Sequence, residues 1–232
     1  MSVCYWRGQR PLQVLRDASL SLHAGELAGV WAKAGGGKTT LLELAAGVLT
    51  PDQGRVVIEG RDLAKLTTRQ ASQLLHRSVG LATRQGPALP ELPMGSWVAL
   101  AVMRHVDRRT AEKRARQVLE RVGIGEVAGE PWRNLSDSER ILVAIARAAV
   151  CEPKLLLVDD PTAGLDVTER VNLLGLLRSI AATTGAAILI SASDMADLQG
   201  VETMWSLVDG HLVGPPQRTA TVVDLPRRAQ QG

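Results

Sequence analysis

The sequence predicts an α/β protein in which helices cover a mainly parallel sheet and an α-helical subdomain is inserted. Three observations support this fold class. Apolar runs with strand character alternate with helical patterns on either side of the middle of the chain. Leu155–Val158 is continuously apolar, which is typical of a strand that is covered on both faces. From about Gly95 to Val150 there are helical patterns and no convincing strand.

The elements follow in order from local patterns. A first strand, Leu27–Ala32, enters a glycine cluster, and a helix over Thr39–Val48 ends before Pro51. Further strands are predicted at Arg55–Ile58, Val79–Ala82, Leu155–Val158 and Ala187–Ile190. A helix between Asp166 and Ala182 keeps the i, i+3, i+4, i+7 spacing of a buried stripe at Leu173, Leu176, Leu177 and Ile180. Pro215–Gly232 has little periodicity and is predicted to be a loosely held tail.

The composition argues against several classes of function. The 232 residues include 27 basic and 24 acidic side chains, and a dispersed net charge of +3 does not indicate nucleic-acid binding. Two cysteines, Cys4 and Cys151, are too few for a disulfide framework and favour a reducing compartment, hence the cytoplasm. The longest uncharged stretch, Ser179–Ser193, falls short of a membrane span, and no secretory signal follows Met1.

A glycine-rich segment between a predicted strand and a predicted helix is the sharpest functional signal. It reads Ala32-Lys33-Ala34-Gly35-Gly36-Gly37-Lys38-Thr39-Thr40. Glycines let backbone N–H groups approach a triphosphate closely, and the following helix N-terminus favours anions. In this pattern Lys38 reaches the β- and γ-phosphates and the Thr39 hydroxyl binds Mg²⁺. The strict pattern has Gly where Ala32 stands, and a turn that binds nothing is the alternative.

A second segment, Leu155-Leu156-Leu157-Val158-Asp159-Asp160-Pro161-Thr162, places two acids after an apolar strand. An acid at the end of such a strand commonly holds the metal beside a phosphate loop. Asp159 is therefore predicted to lie on the Mg²⁺ side of the site. The alternative, two acids that only cap a turn, is weak because carboxylates next to a buried strand are costly without a cation.

These residues resemble the ATP-binding-cassette (ABC) ATPases, a family of P-loop NTPases, over almost the whole chain. Leu155–Asp166 resembles the family's second nucleotide motif and D-loop, and Val143–Ala148 the helix after its signature motif. Val14–Leu20 and Asp209–Leu212 resemble its opening and closing strands. The resemblance implies a RecA-like, mainly parallel core with a small antiparallel β part, formed by residues 1–84 and 151–214. The helical subdomain is then about 85–150 and the tail 215–232.

The resemblance also implies the ligands and partners. ATP and Mg²⁺ would bind between two cassettes, either identical or different, with Tyr5 or, less favoured, Trp6 stacked on adenine. Leu89–Met103 would receive the coupling helix of a transmembrane permease. The chain would then be a stand-alone subunit, cytoplasmic and peripheral on the cell membrane, with no nucleic-acid partner. The spacing around Met94–Leu100 resembles the lipoprotein-release and macrolide-exporter group.

Four further motifs depart from the family pattern. The signature Leu-Ser-Gly-Gly-Gln is here Leu135-Ser136-Asp137-Ser138-Glu139, which brings carboxylates toward a partner's γ-phosphate. Ser136 and Glu139 also fit a helix capping box. The catalytic Glu is replaced by Asp160, whose carboxylate is set back by more than about 1 Å, and the switch-loop His by Ser193. The Q-loop Gln aligns with Arg84, next to Gln85, so that either residue could take its place, or Arg84 is a solvated loop arginine.

These departures predict that ATP binds but turns over slowly, since neither a homodimer nor a heterodimer would contain a fully consensus site. Two other functions stay open. The chain could be a non-catalytic, nucleotide-dependent clamp or scaffold of a membrane assembly. A cassette that acts on nucleic acid or the ribosome is disfavoured, because such relatives generally carry tandem cassettes or long insertions.

Overall fold

The computed structural model describes residues 1–7 and 10–214, and for residues 4–7 and 10–12 it describes the backbone alone. It contains ten strands, β1 to β10, within these residues: Val3–Arg7, Arg10–Leu15, Leu27–Trp31, Val57–Ile58, Arg61–Asp62, Val79–Ala82, Leu155–Val158, Ala187–Ala192, Thr203–Val208 and His211–Val213. The α-helices α1 to α6 span Lys38–Ala45, Thr68–Ser78, Met94–Leu100, Arg108–Arg121, Asp137–Ala149 and Val167–Thr184.

A six-stranded sheet forms the centre of the molecule, in the order β10-β9-β3-β8-β7-β6. All neighbouring strands are parallel except β10, which pairs antiparallel with β9. Two antiparallel hairpins, β1-β2 and β4-β5, lie outside this sheet. The central strands β7 and β8 are almost entirely buried, as expected for parallel strands covered on both faces. The mainly parallel α/β fold with a small antiparallel part is therefore confirmed.

The middle of the chain is helical, as predicted. Helices α3, α4 and α5 pack on one another, and no strand lies between β6 and β7 in the part of the chain that is described. The apolar side of α5 also contacts β6, so this helix connects the helical layer to the sheet. None of the described helices is long and apolar enough to cross a membrane. The division into a core and a subdomain remains a prediction, and the tail 215–232 lies outside the described residues.

Several predicted boundaries were wrong for identifiable reasons. Helix α1 ends at Ala45 rather than at Val48, because the chain turns at Gly47 with a left-handed φ of 68°. Strand β4 comprises only Val57–Ile58, and not Arg55 onward. Strand β8 continues two residues beyond its predicted end, to Ala192. Helix α2 and strand β9 were not predicted at all.

Candidate nucleotide site

The carboxyl ends of four parallel strands place the candidate residues at one edge of the sheet. The strand ends are in register, with Ala82 of β6 opposite Val158 of β7, Val158 opposite Ile190 of β8, and Trp31 of β3 opposite Ala192. The loops that leave these ends contain the glycine-rich segment, the two acids, Ser193 and Arg84. In open α/β sheets ligands bind in the crevice outside the carboxyl ends of the strands.

The glycine-rich loop leaves backbone donors unused. The N–H groups of Ala34, Gly35 and Gly37 have no hydrogen-bond acceptor among the described residues. Gly35 and Gly37 adopt left-handed φ values of 75° and 96°, which side chains disfavour. A Cβ at Gly36 would lie 2.9 Å from both the Ala32 Cβ and the Lys33 carbonyl oxygen, so the methyl of Ala32 fits only because residue 36 is glycine. The loop therefore presents an anion-binding backbone.

Lys38 and Thr39 open helix α1 directly behind this loop. The Lys38 side chain is 7% exposed, and its Nζ donates to the carbonyl oxygens of Ala32 at 2.8 Å and Lys33 at 3.4 Å. The Thr39 hydroxyl donates to Asp159 Oδ2 at 2.8 Å. The predicted phosphate-binding lysine, the hydroxyl and the metal-side acid are thus brought together, as the sequence suggested. Thr40 is buried, whereas Lys33 and Ala34 are exposed at the rim of the loop.

Asp160 and Ser193 form a hydrogen-bonded chain with Lys38. The Ser193 hydroxyl donates to Asp160 Oδ2 at 2.7 Å and accepts from Lys38 Nζ at 3.1 Å. The other carboxylate oxygen of Asp160, Oδ1, is buried without a hydrogen-bond partner among the described residues. Asp160 also adopts a left-handed φ of 47°, a conformation that aspartate tolerates better than most residues. Both candidate catalytic residues therefore contact the phosphate-loop lysine, directly or through one hydroxyl.

Sequence reasoning missed Ser191. Its side chain is fully buried at the end of β8, where its hydroxyl donates to Asp159 Oδ1 at 2.7 Å and accepts from the Asp160 N–H at 2.8 Å. One hydroxyl thus orients both acids. The available signal was a polar residue inside an otherwise apolar strand, Ala187–Ala192, because a buried hydroxyl needs hydrogen-bond partners.

The signature-like segment is built as a helix start. Ser136 is the N-cap of α5, and its hydroxyl accepts from the Glu139 N–H while the Glu139 carboxylate accepts from the Ser136 N–H at 2.7 Å. Asp137 pairs with Arg140 at 3.1 Å. The capping box is therefore confirmed, and it engages the carboxylate of Glu139. None of Ser136, Asp137, Ser138 and Glu139 hydrogen-bonds to the phosphate loop within the described residues.

The remaining predicted site residues are Arg84, Gln85 and Tyr5, and their surroundings differ. Arg84 is exposed, as the interpretation of a solvated loop arginine predicts, and its guanidinium also donates to the carbonyl oxygens of Asp160 and Pro161, both at 3.2 Å, and to that of Ala163. Gln85 is exposed and makes no hydrogen bond among the described residues. Tyr5 lies in strand β1, and its side chain, like that of Trp6, is outside the described residues, so its stacking on adenine remains a prediction.

The donor set fits MgATP. Free backbone N–H groups, a buried lysine and a helix N-terminus suit the phosphates. Thr39 and Asp159 offer the hard oxygen ligands that Mg²⁺ prefers. The described residues contain no cluster of three or more His, Cys, Asp or Glu side chains that would hold a metal alone.

Comparison with known proteins identifies the family of the chain. The family model for the ABC transporter matches residues 15–163. The lipoprotein-releasing system ATP-binding protein LolD of Cereibacter sphaeroides is 37% identical over 216 residues, covering 92% of this chain and 96% of that protein. LolD 2 of Caulobacter vibrioides is 35% identical over 202 residues, covering 87% and 89%.

A solved structure shows the same fold. The dimeric post-hydrolysis state of the ATP-binding cassette MJ0796, bound to ADP and Pi, superposes with a TM-score of 0.82 at 23% identity, over 91% of this chain and 93% of that one. The chain therefore belongs to the ABC transporter family of ATP-binding proteins.

Proposed function

We propose that this chain is the ATP-binding subunit of a membrane transporter, in which two cassettes bind MgATP and hydrolyse it slowly. The observation that carries the proposal is the cluster of Lys38, Thr39 and Asp159 behind a loop with unused N–H donors. Lys38 would bind the β- and γ-phosphates, and Thr39 with Asp159 would hold Mg²⁺. The bound Mg²⁺ would neutralise negative charge on the phosphates.

Slow hydrolysis is supported by the surroundings of Asp160. A general base needs an oxygen within hydrogen-bond reach of the attacking water. In Asp160, one oxygen accepts from Ser193 and the other is buried. Oδ2 therefore offers an attacking water only the lone pair that Ser193 leaves unused, and the buried Oδ1 is out of reach of solvent. Ser193 is neutral and already hydrogen-bonded to Lys38, so it cannot supply the positive charge that a histidine at this position would carry on protonation.

The signature-like segment supports the same proposal for the second half of each site. In the family, this segment of one chain faces the nucleotide of the other. Here Asp137 and Glu139 add two carboxylates to the N-terminus of α5, where they partly cancel the positive end of the helix dipole. Asp137 pairs with Arg140, and the Glu139 carboxylate is engaged in the capping box. These contacts would weaken the repulsion between the two carboxylates and a phosphate, and they would also hold the two side chains away from it.

The proposed partners are a second cassette, identical or different, and a transmembrane permease. The segment Leu89–Met103 exposes three apolar side chains, Leu89 at 68%, Leu100 at 52% and Met103 at 39%. Beside it a cleft of about 580 Å³ contains Arg61, Arg77, Arg114, His76 and His105, and no acid is among its described lining residues. Such a surface suits a permease loop with apolar and acidic side chains. The subunit would then lie on the cytoplasmic face of the membrane.

The similarity to LolD proteins of lipoprotein-releasing systems makes a permease of that type the proposed partner. We propose no nucleic-acid partner, because the net charge is only +3. A test is co-expression with the permease subunits of such a system. Copurification in detergent and stimulation of the ATPase by the permease are expected, and a chain that copurifies with nucleic acid instead would contradict the assignment.

A second candidate is a nucleotide-dependent clamp, which the engaged Asp160 carboxylate also favours. The two candidates differ in phosphate release. A slow enzyme releases phosphate at a low but Asp160-dependent rate, whereas a clamp binds MgATP with negligible release. Combining Asp160→Glu, Ser193→His, Asp137→Gly, Ser138→Gly and Glu139→Gln should raise the rate of the slow enzyme. A wild-type rate typical of competent cassettes would refute the slow-enzyme proposal.

A further inference from the structure

Arg84 occupies an unusual position at the nucleotide edge of the sheet. It lies two residues after the end of β6, and its guanidinium spans to the loop that follows the two acids. Nε donates to the Asp160 carbonyl oxygen at 3.2 Å, and Nη2 donates to the carbonyl oxygens of Pro161 at 3.2 Å and of Ala163. Arg84 is exposed, and among the described residues it has no ion pair, so its described hydrogen bonds all go to backbone carbonyls.

The loop that Arg84 contacts contains a strained residue. Asp160 is a non-glycine residue with a φ of 47°, in the left-handed region that L-amino acids disfavour. Its N–H is held by the Ser191 hydroxyl at 2.8 Å and its carbonyl oxygen by Arg84 at 3.2 Å. The backbone of Asp160 is thus held by hydrogen bonds at both its N–H group and its carbonyl oxygen. The carboxylate that faces Ser193 depends on this backbone for its direction.

We infer that Arg84 is a positioning residue, which fixes the segment 160–163 and thereby aims the Asp160 carboxylate. Arginine suits this role because its planar guanidinium carries five N–H donors in a fixed fork. A glutamine is shorter and has two N–H donors on one nitrogen, so it cannot reproduce contacts to three carbonyl oxygens. Lysine keeps the charge but not the fork. The described contacts of Arg84 are with backbone carbonyl oxygens, so it is assigned a positioning role and not a catalytic one.

This inference yields a prediction opposite to the one that family resemblance would suggest. Arg84→Gln restores the residue that the family has at this position, yet it should lower turnover. We expect kcat to fall about tenfold, with the KM and Kd for MgATP changed less than about threefold, because the phosphate loop is untouched. Arg84→Lys should lie between wild type and Arg84→Gln. The control is Arg108→Gln, an exposed arginine on α4 that pairs with Glu112 and should behave as wild type.

The deciding measurement is independent of hydrolysis. Amide hydrogen exchange of the peptide that covers residues 160–166 should be faster in Arg84→Gln than in wild type and Arg108→Gln, while peptides of the phosphate loop stay unchanged. Unchanged exchange in this peptide, or a kcat that stays equal or rises in Arg84→Gln, would overturn the inference. The inference rests on the proposed ATPase function, but different results refute the two. If the wild-type chain binds no MgATP, the proposed function is refuted. If MgATP binds normally and the exchange of residues 160–166 is unchanged in Arg84→Gln, only the role of Arg84 is refuted.

Discussion

Lengthening the acid at position 160 by one methylene, in Asp160→Glu, is expected to accelerate ATP hydrolysis. In the structure, Asp160 Oδ2 accepts from Ser193 at 2.7 Å and Oδ1 is buried. One further C–C bond of about 1.5 Å extends the carboxylate past the serine hydroxyl. A displacement of about 1 Å at a reacting group can change the rate about 100-fold, which corresponds to about 2.7 kcal/mol in the activation free energy. We therefore expect a gain of about 10- to 100-fold in kcat.

The assay is steady-state phosphate release at saturating MgATP, together with the Kd for MgATP and a thermal melt. Asp159→Glu is the matched control, since it lengthens the neighbouring acid by the same methylene. The Asp159 carboxylate is already held by Thr39 at 2.8 Å and Ser191 at 2.7 Å, so this change should lower kcat. Asp160→Glu should melt earlier, because a longer side chain at a φ of 47° is less well tolerated. If Asp160→Glu binds MgATP normally but turns over no faster than wild type, the reasoning is refuted.

Three further predictions concern binding, stability and reactivity. Thr39→Val should reduce the effect of Mg²⁺ on ATP affinity about tenfold, because the Thr39 hydroxyl is a proposed metal ligand. The measurement is a titration with ATP in the presence and absence of Mg²⁺. An unchanged Mg²⁺ effect would show that Thr39 is not a metal ligand. Glu139→Ala should lower the free energy of unfolding by about 0.5–1.5 kcal/mol, because the hydrogen bond from the Ser136 N–H to the Glu139 carboxylate is lost from the capping box. An unchanged denaturant midpoint would contradict this prediction. In a Cys4→Ser background, Cys151 should react with iodoacetamide at pH 8 more slowly than a free thiol, because burial raises its pKa; labelling as fast as that of glutathione would show that the thiol is accessible.

The parts of the fold that the sequence predicts best are those decided by burial alone. The bounds of β6, Val79–Ala82, and of β7, Leu155–Val158, agree with the prediction because short apolar runs next to turns have few alternatives. Helix α2 was missed because its pattern is mostly polar and exposed, although Thr67 and Gln70 form a capping box that marks its start. Strand β9 alternates buried residues with less buried ones over Trp205–Val208, a period-2 pattern too short to distinguish this strand from a loop by sequence.

The candidate site was predictable where its chemistry is local in the chain. The phosphate loop and Lys38 follow from consecutive residues, because the loop's conformation is set by its own glycines. Ser191 contacts Asp160 across 31 positions of the chain, and Arg84 contacts Asp160 across 76. No local sequence pattern encodes such distant contacts, so the roles of Ser191 and Arg84 could not be predicted. For the same reason, the sequence leaves open whether Arg84 or Gln85 takes the Q-loop position or Arg84 is only solvated, and it does not predict the contacts of Arg84 with residues 160–163.

The claim on which the rest depends is that the Lys38 pocket binds ATP with its metal. Isothermal titration of the purified chain with MgATP tests it most directly, with Lys38→Ala as the comparison. We predict saturable binding of one nucleotide per chain, weakened about 10- to 100-fold in Lys38→Ala, since a charged hydrogen-bonding group contributes about 1.5–3 kcal/mol. Absence of saturable binding in wild type, or the same affinity in Lys38→Ala, would contradict the account.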